Sequence, residues 1–161
     1  MIRVRPLFAT TRSARNLVRP VAYSCVKCIL IRDGSVIVSG EFGQRPVSVG
    51  DVLLLGADVS CGAEPEGQVT VTTVYLDPGY AVDLFYWQYA GLLLDRLEAR
   101  DVAETVFCEP IQVLRLGEQC LEELAPVLDE LVELSENEHL GESFTRMQAL
   151  WFLIADAGLT P

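Results

Sequence analysis

Apolar and polar positions change rhythm once along this chain. From Val21 to Leu76 they come in short extended runs, and after Asp77 they recur at three and four. In the first region Val26, Cys28, Leu30 and Arg32 share one face of an extended segment. Cys25, Lys27, Ile29 and Ile31 share the other, which predicts a strand over 21–31. Asp33-Gly34 is a two-residue hairpin signal, and Val36-Ile37-Val38 is the return strand. Gly40 to Pro46 reads as a second turn. Gly50-Asp51 reads as a tight turn within Val47 to Leu55. Val52 to Leu55, apolar at every position, predicts a strand buried on both faces. Gly56, Asp58, Gly62 and Pro65 predict a loop, and Val69 to Leu76 the strand beyond it. Many short strands joined by Gly-rich turns argue for a sandwich or barrel.

The helical period begins near Tyr80. Val82, Phe85, Tyr89, Leu92, Leu93 and Leu97 predict a helix over about 80–100. Glu109-Pro110 is a break, and Ile111 to Leu116 suggests a returning strand. Leu121, Leu124, Leu128 and Leu131 form one apolar stripe on a helix over 118–135, with Pro126 expected to kink it or mark an early start. A last helix is expected over 142–157, with Ser143 able to cap it. Its stretch Ala149 to Ala155 is apolar all round. Met147, Leu150, Trp151 and Ile154 make one stripe, while Phe152 and Leu153 fall outside it. A helix with no polar face must be covered on a second side, which suggests a two-fold related copy of itself; the alternative is a helix sandwiched within its own domain. Residues 1–20 show no sustained period and are expected to form a flexible basic arm.

Charge sharpens this division. The net charge is −11, yet residues 1–20 carry five arginines and no acid, leaving seven basic against 23 acidic residues elsewhere, a net of −16. An acidic body repels phosphate. No run reaches the roughly 18 apolar residues of a membrane span, and the N-terminus lacks the apolar segment of a signal peptide, so the cytoplasm is the expected location.

Candidate chemistry is sparse. Cys25 and Cys28 form a C-x-x-C, but residues three apart on a strand point to opposite faces, so reduced packed thiols are expected. The single histidine, His139, lies in an acidic turn, and Cys61 with scattered acids does not make a metal set; neither metal nor cofactor is expected. No Ser/His or Cys/His pairing and no phosphate loop is present, so an enzyme is not expected.

The Gly50-Asp51 turn, the apolar strand Val52 to Leu55 and Cys61 beyond it resemble the centre of the cupin-like N-terminal domain of AraC-family transcription regulators, with Cys61 where the family has His. Similarity extends through Val74-Tyr75-Leu76-Asp77-Pro78, Phe85 to Gly91, Arg115-Leu116-Gly117 and Arg146 to Trp151. It covers most of the chain after Tyr23 and resembles one actinobacterial branch.

The resemblance implies a mainly β fold with helices: a cupin-like (double-stranded β-helix, jelly-roll) barrel over 21–116 with an inserted helix at about 80–100, then a helical pair over 117–161 for dimerisation. It implies a regulatory domain that binds a small-molecule effector and forms a homodimer. DNA would be contacted only through a C-terminal helix-turn-helix region that this chain lacks. Arg32 resembles the arginine of the family's I-R-G-x-G and, if it reaches the barrel mouth, suits an acidic or hydroxylated effector; in solvent it would be an ordinary hairpin arginine. Thr73 and Tyr75 lie at positions that line effector pockets in relatives, and Cys61 is counted with them. Val71 and Thr73 replace the His or Trp of sugar-binding members. The last helix corresponds to the one through which relatives pair, which assigns Met147, Leu150, Trp151 and Ile154 to a dimer face, and the arm could fold over the pocket or touch the DNA-binding part. The alternatives are a metal-independent cupin enzyme and a dimerisation module that binds nothing.

The charge distribution generates the first prediction. The 161-residue chain is expected not to bind duplex DNA tightly at physiological salt. A gel-shift titration reaching half-saturation near 10⁻⁸ M, roughly the level of specific complexes, would contradict it.

Overall fold

The computed structural model describes residues 5–88, 111–136 and 140–157. Its strands are β1 (Leu7–Ala14), β2 (Val18–Val21), β3 (Val26–Asp33), β4 (Ser35–Gly40), β5 (Gly43–Ser48), β6 (Asp51–Leu55), β7 (Cys61–Pro65), β8 (Val69–Leu76) and β9 (Ile111–Arg115). Its helices are α1 (Pro78–Gln88), α2 (Glu118–Glu136) and α3 (Leu140–Asp156).

The pairs β1/β8, β2/β7, β3/β6 and β4/β5 are the rungs of one long antiparallel ribbon. The ribbon is wound so that β3 also meets β8 and β4 meets β7. Two sheets result, in the orders β1-β8-β3-β6-β9 and β2-β7-β4-β5. The first eight strands thus form a jelly roll, with β9 added beside β6. This is the cupin-like barrel with C-terminal helices that the resemblance implies.

Residues 7–21 are not a flexible arm. They are β1 and β2, the outer strands of the ribbon. β1 shows no simple alternation because it meets apolar neighbours on both faces: Leu7 and Ala9 on one, Phe8 beside Tyr75 on the other. β2 is exposed at all four residues, so it carries no burial pattern. The expected turn over 40–46 shrinks to Glu41-Phe42, with β5 beginning at Gly43, and the loop over 56–67 contains β7. Gly62 admits β2 there: a Cβ at this position would lie 3.0 Å from the Pro20 ring.

The five-stranded sheet is buried on both faces. Ile31, Leu53, Leu55, Val69 and Ile111 pack between the sheets with Val36, Val38 and Val47 of the second sheet. Leu7, Ala9, Cys28, Leu30, Val52 and Val74 pack under the helices with Leu121, Leu124, Leu128 and Leu131 of α2 and Met147, Leu150, Trp151 and Ile154 of α3. The α2 stripe therefore lies where the period puts it, and α2 runs on through Pro126. Arg146 clamps α3 to α2 through both oxygens of Glu130, with N–O distances of 2.9 to 3.3 Å.

The face assigned to dimerisation needs correction. Met147, Leu150, Trp151 and Ile154 are buried inside the chain itself, against α2 and the sheet. Leu153 is the side chain left outside, 52% exposed, with Phe152 half-buried. Ser143 does not cap α3, which begins at Leu140.

α1 starts as the sequence allows: Pro78 occupies the first turn, and the Asp77 carboxylate accepts from the Tyr80 N–H at 3.1 Å. The rest of the helix expected to about residue 100 lies outside the described residues, as does His139. No described helix is long and apolar enough to cross a membrane.

The Gly50-Asp51 turn locks three segments together. Gly50 N–H donates to the Ile31 carbonyl, and its own carbonyl accepts from Leu116 and Gly117. The Asp51 carboxylate accepts from Ser48 N–H at 2.9 Å and from Arg115 Nη1 at 2.8 Å. Gly50 has φ +91°, and a Cβ there would lie 2.7 Å from the Gly117 carbonyl carbon. Both strain and overlap oppose any side chain. Gly50→Ala is expected to cost about 2 kcal/mol or more in a urea titration. A midpoint within error of the wild type would contradict the tight approach.

Candidate ligand-binding site

In antiparallel strands, residues directly opposite one another point to the same side. One row across the five-stranded sheet is Phe8, Tyr75, Lys27, Leu55 and Ile111; the next is Thr10, Thr73, Ile29, Leu53 and Val113. Leu53, Leu55 and Ile111 belong to the core between the sheets, so both rows face the barrel interior. The inner wall is aliphatic toward β6 and β9. Toward β1 it becomes aromatic and polar.

Lys27 sits at that transition. It is only 7% exposed, and among the described residues no carboxylate pairs with it. Its ammonium lies 3.9 Å from the centre of the Tyr23 ring. Burial pulls its pKa below the ordinary lysine value, and the Cys25 and Cys61 sulfurs oppose this. Burial raises both of those thiols, with Lys27 opposing. A charged group without a counter-ion inside a barrel is a standing electrostatic cost, and it attracts anions.

A cavity of about 580 Å³ opens beside this lysine, against β1, the edge strand of the five-stranded sheet. Phe8, Thr10 and Arg12 line it from β1, Tyr23, Ser24 and Cys25 from the segment before β3, Tyr75 and Leu76 from β8, with Arg5 and Asp77 at its ends. Phe8 and Tyr75 stack at 4.6 Å between centroids and 12° between planes, giving a flat aromatic wall. Arg12 forms no hydrogen bond or ion pair with the described residues. Arg5 donates to the Ser135 carbonyl of α2. Among the described residues the one lining carboxylate, Asp77, is engaged in capping α1. Two guanidinium groups, an aromatic stack and a lysine just behind the wall can hold a flat apolar body with an acidic head.

The structure divides the residues singled out from the sequence. Tyr75 lines the cavity, and Thr73 lies one row deeper beside Thr10. Cys61 packs half-buried against the core between the sheets and donates to the Gly62 carbonyl. Arg32 does not reach the barrel mouth. Strand alternation puts it on the face of Cys28 and Leu30, which the helices cover, and there its Nη1 donates to Thr72 Oγ1 at 2.9 Å and Asp129 Oδ1 at 3.0 Å. Cys28 lies on that face too, its thiol pushed up to about 12 by burial, so the C-x-x-C is split by the sheet. Among the described residues no three His, Cys, Asp or Glu side chains gather as a metal set. Lys27, Phe8, Arg12 and Tyr23 were missed. The available signal was one lysine in the otherwise apolar V-K-C-I-L-I, on the face of Ile29 and Ile31.

Comparison with protein-family models gives no match, and no curated protein is similar. Solved structures are. An apo variant of ToxT from Vibrio cholerae superposes over 95% of this chain and 57% of its own, at a TM-score of 0.60 and 10% identity. ToxT from Vibrio cholerae bound to (E)-4-(8-methylnaphthalen-1-yl)but-3-enoic acid covers 94% of this chain and 57% of its own, at 0.55 and 7%. An ethanolamine utilization protein Q from Salmonella typhimurium covers 45% of this chain and 59% of its own, at 0.42 and 16%. The chain thus spans little more than half the length of the ToxT chains, and what it shares with them is the fold.

Lys27 generates a pH prediction. Between its lowered native pKa and the ordinary 10.5, the unfolded chain holds the proton more tightly, so its contribution to stability improves as pH rises through that window. Below the window the lysine is charged in both states, and the cost of burial is felt in full. Lys27→Met should therefore melt above the wild type at pH 7, with the gap closing toward pH 10.5. Thermal melts showing a gap that widens with pH would contradict it.

Proposed function

We propose that this chain is the effector-sensing domain of an AraC-type transcription regulator, and that its effector is a small apolar carboxylic acid. One observation carries the reading: in a chain of net charge −11, this cavity joins two arginines to a stacked Phe8–Tyr75 wall, with a lysine behind it that no carboxylate pairs among the described residues. Arg12 offers forked donors to a carboxylate, and the ring stack takes the apolar part. The fold shared with ToxT supports the regulatory part of the reading, and the arylalkenoic acid bound to that protein supports the ligand class.

In this reading the acidic barrel makes no contact with DNA, which belongs to a separate domain. A homodimer, if formed through α3, uses its outer side at Leu153 and Phe152, since the inner stripe is already covered.

Lys27 with Cys25 and Cys61 is the one cluster that favours a metal-independent enzyme instead. Its amine is easier to deprotonate than usual, but both thiols are harder to ionise and so are poor nucleophiles. No histidine among the described residues stands by to move a proton. Binding is the better account.

The test uses 4-phenylbutanoate and its primary amide as probes. Calorimetry and thermal melts should show binding and a raised melting temperature with the acid, and at least a tenfold weaker effect with the amide. Arg12→Ala should weaken acid binding about tenfold or more while leaving the ligand-free melt unchanged, because Arg12 forms no hydrogen bond or ion pair among the described residues. Equal responses to acid and amide, or none to either, would overturn the proposal.

A further inference from the structure

β1 is an edge strand. It bonds to β8 on one side, and its other side faces the helices. Ala9, flanked by the cavity residues Phe8 and Thr10, turns its N–H to that free side. The acceptor is a side chain: Ser135 Oγ on α2, at 2.9 Å. The same hydroxyl donates to the Leu131 carbonyl one turn back, at 2.7 Å. Four of the five buried residues of α2 are leucines, and Ser135 is the fifth. Its hydroxyl is thus engaged both as donor and as acceptor, and it holds the pocket-bearing strand against the helix. Arg5, a lining residue of the cavity, donates to the carbonyl of the same Ser135.

The last turn of α2 therefore holds one lining residue, Arg5, and the backbone between two others, Phe8 and Thr10, without lining the cavity itself. We infer that Ser135 is a positioning residue for the cavity, and that an anion bound there tightens the C-terminal turn of α2. The inference rests on the cavity being the anion site proposed above. The sign follows from the donors. A guanidinium carries five N–H groups, and one suffices for the Ser135 carbonyl. A carboxylate that takes the others fixes Arg5 between ligand and helix end, where a cation also complements the helix dipole. It fixes β1 as well, through Arg12 and the Phe8 wall, and with it the Ala9–Ser135 bond. Binding and helix-end order then favour one another, and the coupling is reciprocal.

The experiment is amide hydrogen exchange by NMR on the wild-type chain with and without saturating 4-phenylbutanoate, beside calorimetric titration of Ser135→Ala. The Ala9 amide and the amides of Val132 to Glu136 should exchange more slowly when ligand is bound. Ser135→Ala, which contacts no ligand, should bind roughly three- to tenfold more weakly, the scale of one lost buried hydrogen bond. A residue that only stabilised the fold would lower the melting temperature but would leave both the ligand-induced protection and the affinity as they are. Binding to the wild type with unchanged exchange in the α2 turn overturns the inference alone. No binding to the wild type overturns the assignment of the cavity together with it.

Discussion

Everything in this molecule depends on a sheet with no dry face to spare. β1, β8, β3 and β6 are covered on one side by the second sheet and on the other by α2 and α3, so each residue of these strands has its neighbourhood decided by parity. Even-numbered residues of β3 belong to the helices and odd-numbered ones to the barrel. This is why Arg32 and Lys27, five residues apart in one strand, lead separate lives. Arg32 reaches a hydroxyl and an exposed carboxylate on a helix. Lys27 lies among largely apolar side chains, and among the described residues an aromatic ring, not a carboxylate, stands against its charge. A cation that reaches a carboxylate is unremarked; the same cation among apolar side chains is an invitation to a counter-ion.

Parity also explains what could be read from the sequence. The α2 stripe was legible because leucines at three and four have one meaning when acids interrupt the remaining positions. The buried strand after Gly50-Asp51 was legible because four consecutive apolar residues need cover on both sides. β1 was not. Its Leu7-Phe8-Ala9-Thr10-Thr11 alternates between two partly apolar environments, so no period-two signal survives, and the arginines around it looked like those of a solvated tail. The last helix was half legible. Its all-round apolar character called for cover, but periodicity alone cannot say which stripe the rest of the same chain already takes. The chain takes the stripe of Met147, Leu150, Trp151 and Ile154, which leaves Leu153 as the open question.

The cavity follows the same logic. Its residues come mainly from three stretches that the ribbon brings to one seam: β1, the segment before β3, and the end of β8. The first 32 residues hold seven basic side chains and no acid. Part of that bias, which as a linear pattern suggests a tail, becomes in three dimensions a cationic mouth on an acidic body, through Arg5 and Arg12 with Lys27 behind them. Long-range repulsion from the body and short-range attraction at the mouth act on different lengths. With a screening length of roughly 8 Å at physiological ionic strength, a small anion feels the arginines beside it far more than the acids across the molecule.

The seam has another side. Leu17, Val18, Val21 and Tyr23 are four of the five large apolar residues exposed among the described residues, and they lie along β2, at the open edge of its sheet. Such an edge can recruit a strand from another molecule, and Pro20 removes only one donor from it. Between two copies the shared negative charge opposes such pairing. This makes the protein's colloidal behaviour a matter of solvent rather than of fold. Near the sequence pI of about 4.4, or in concentrated salt, that repulsion fades while the greasy rim stays as it was. The same eight strands that close the barrel thus leave one border whose guard is titratable.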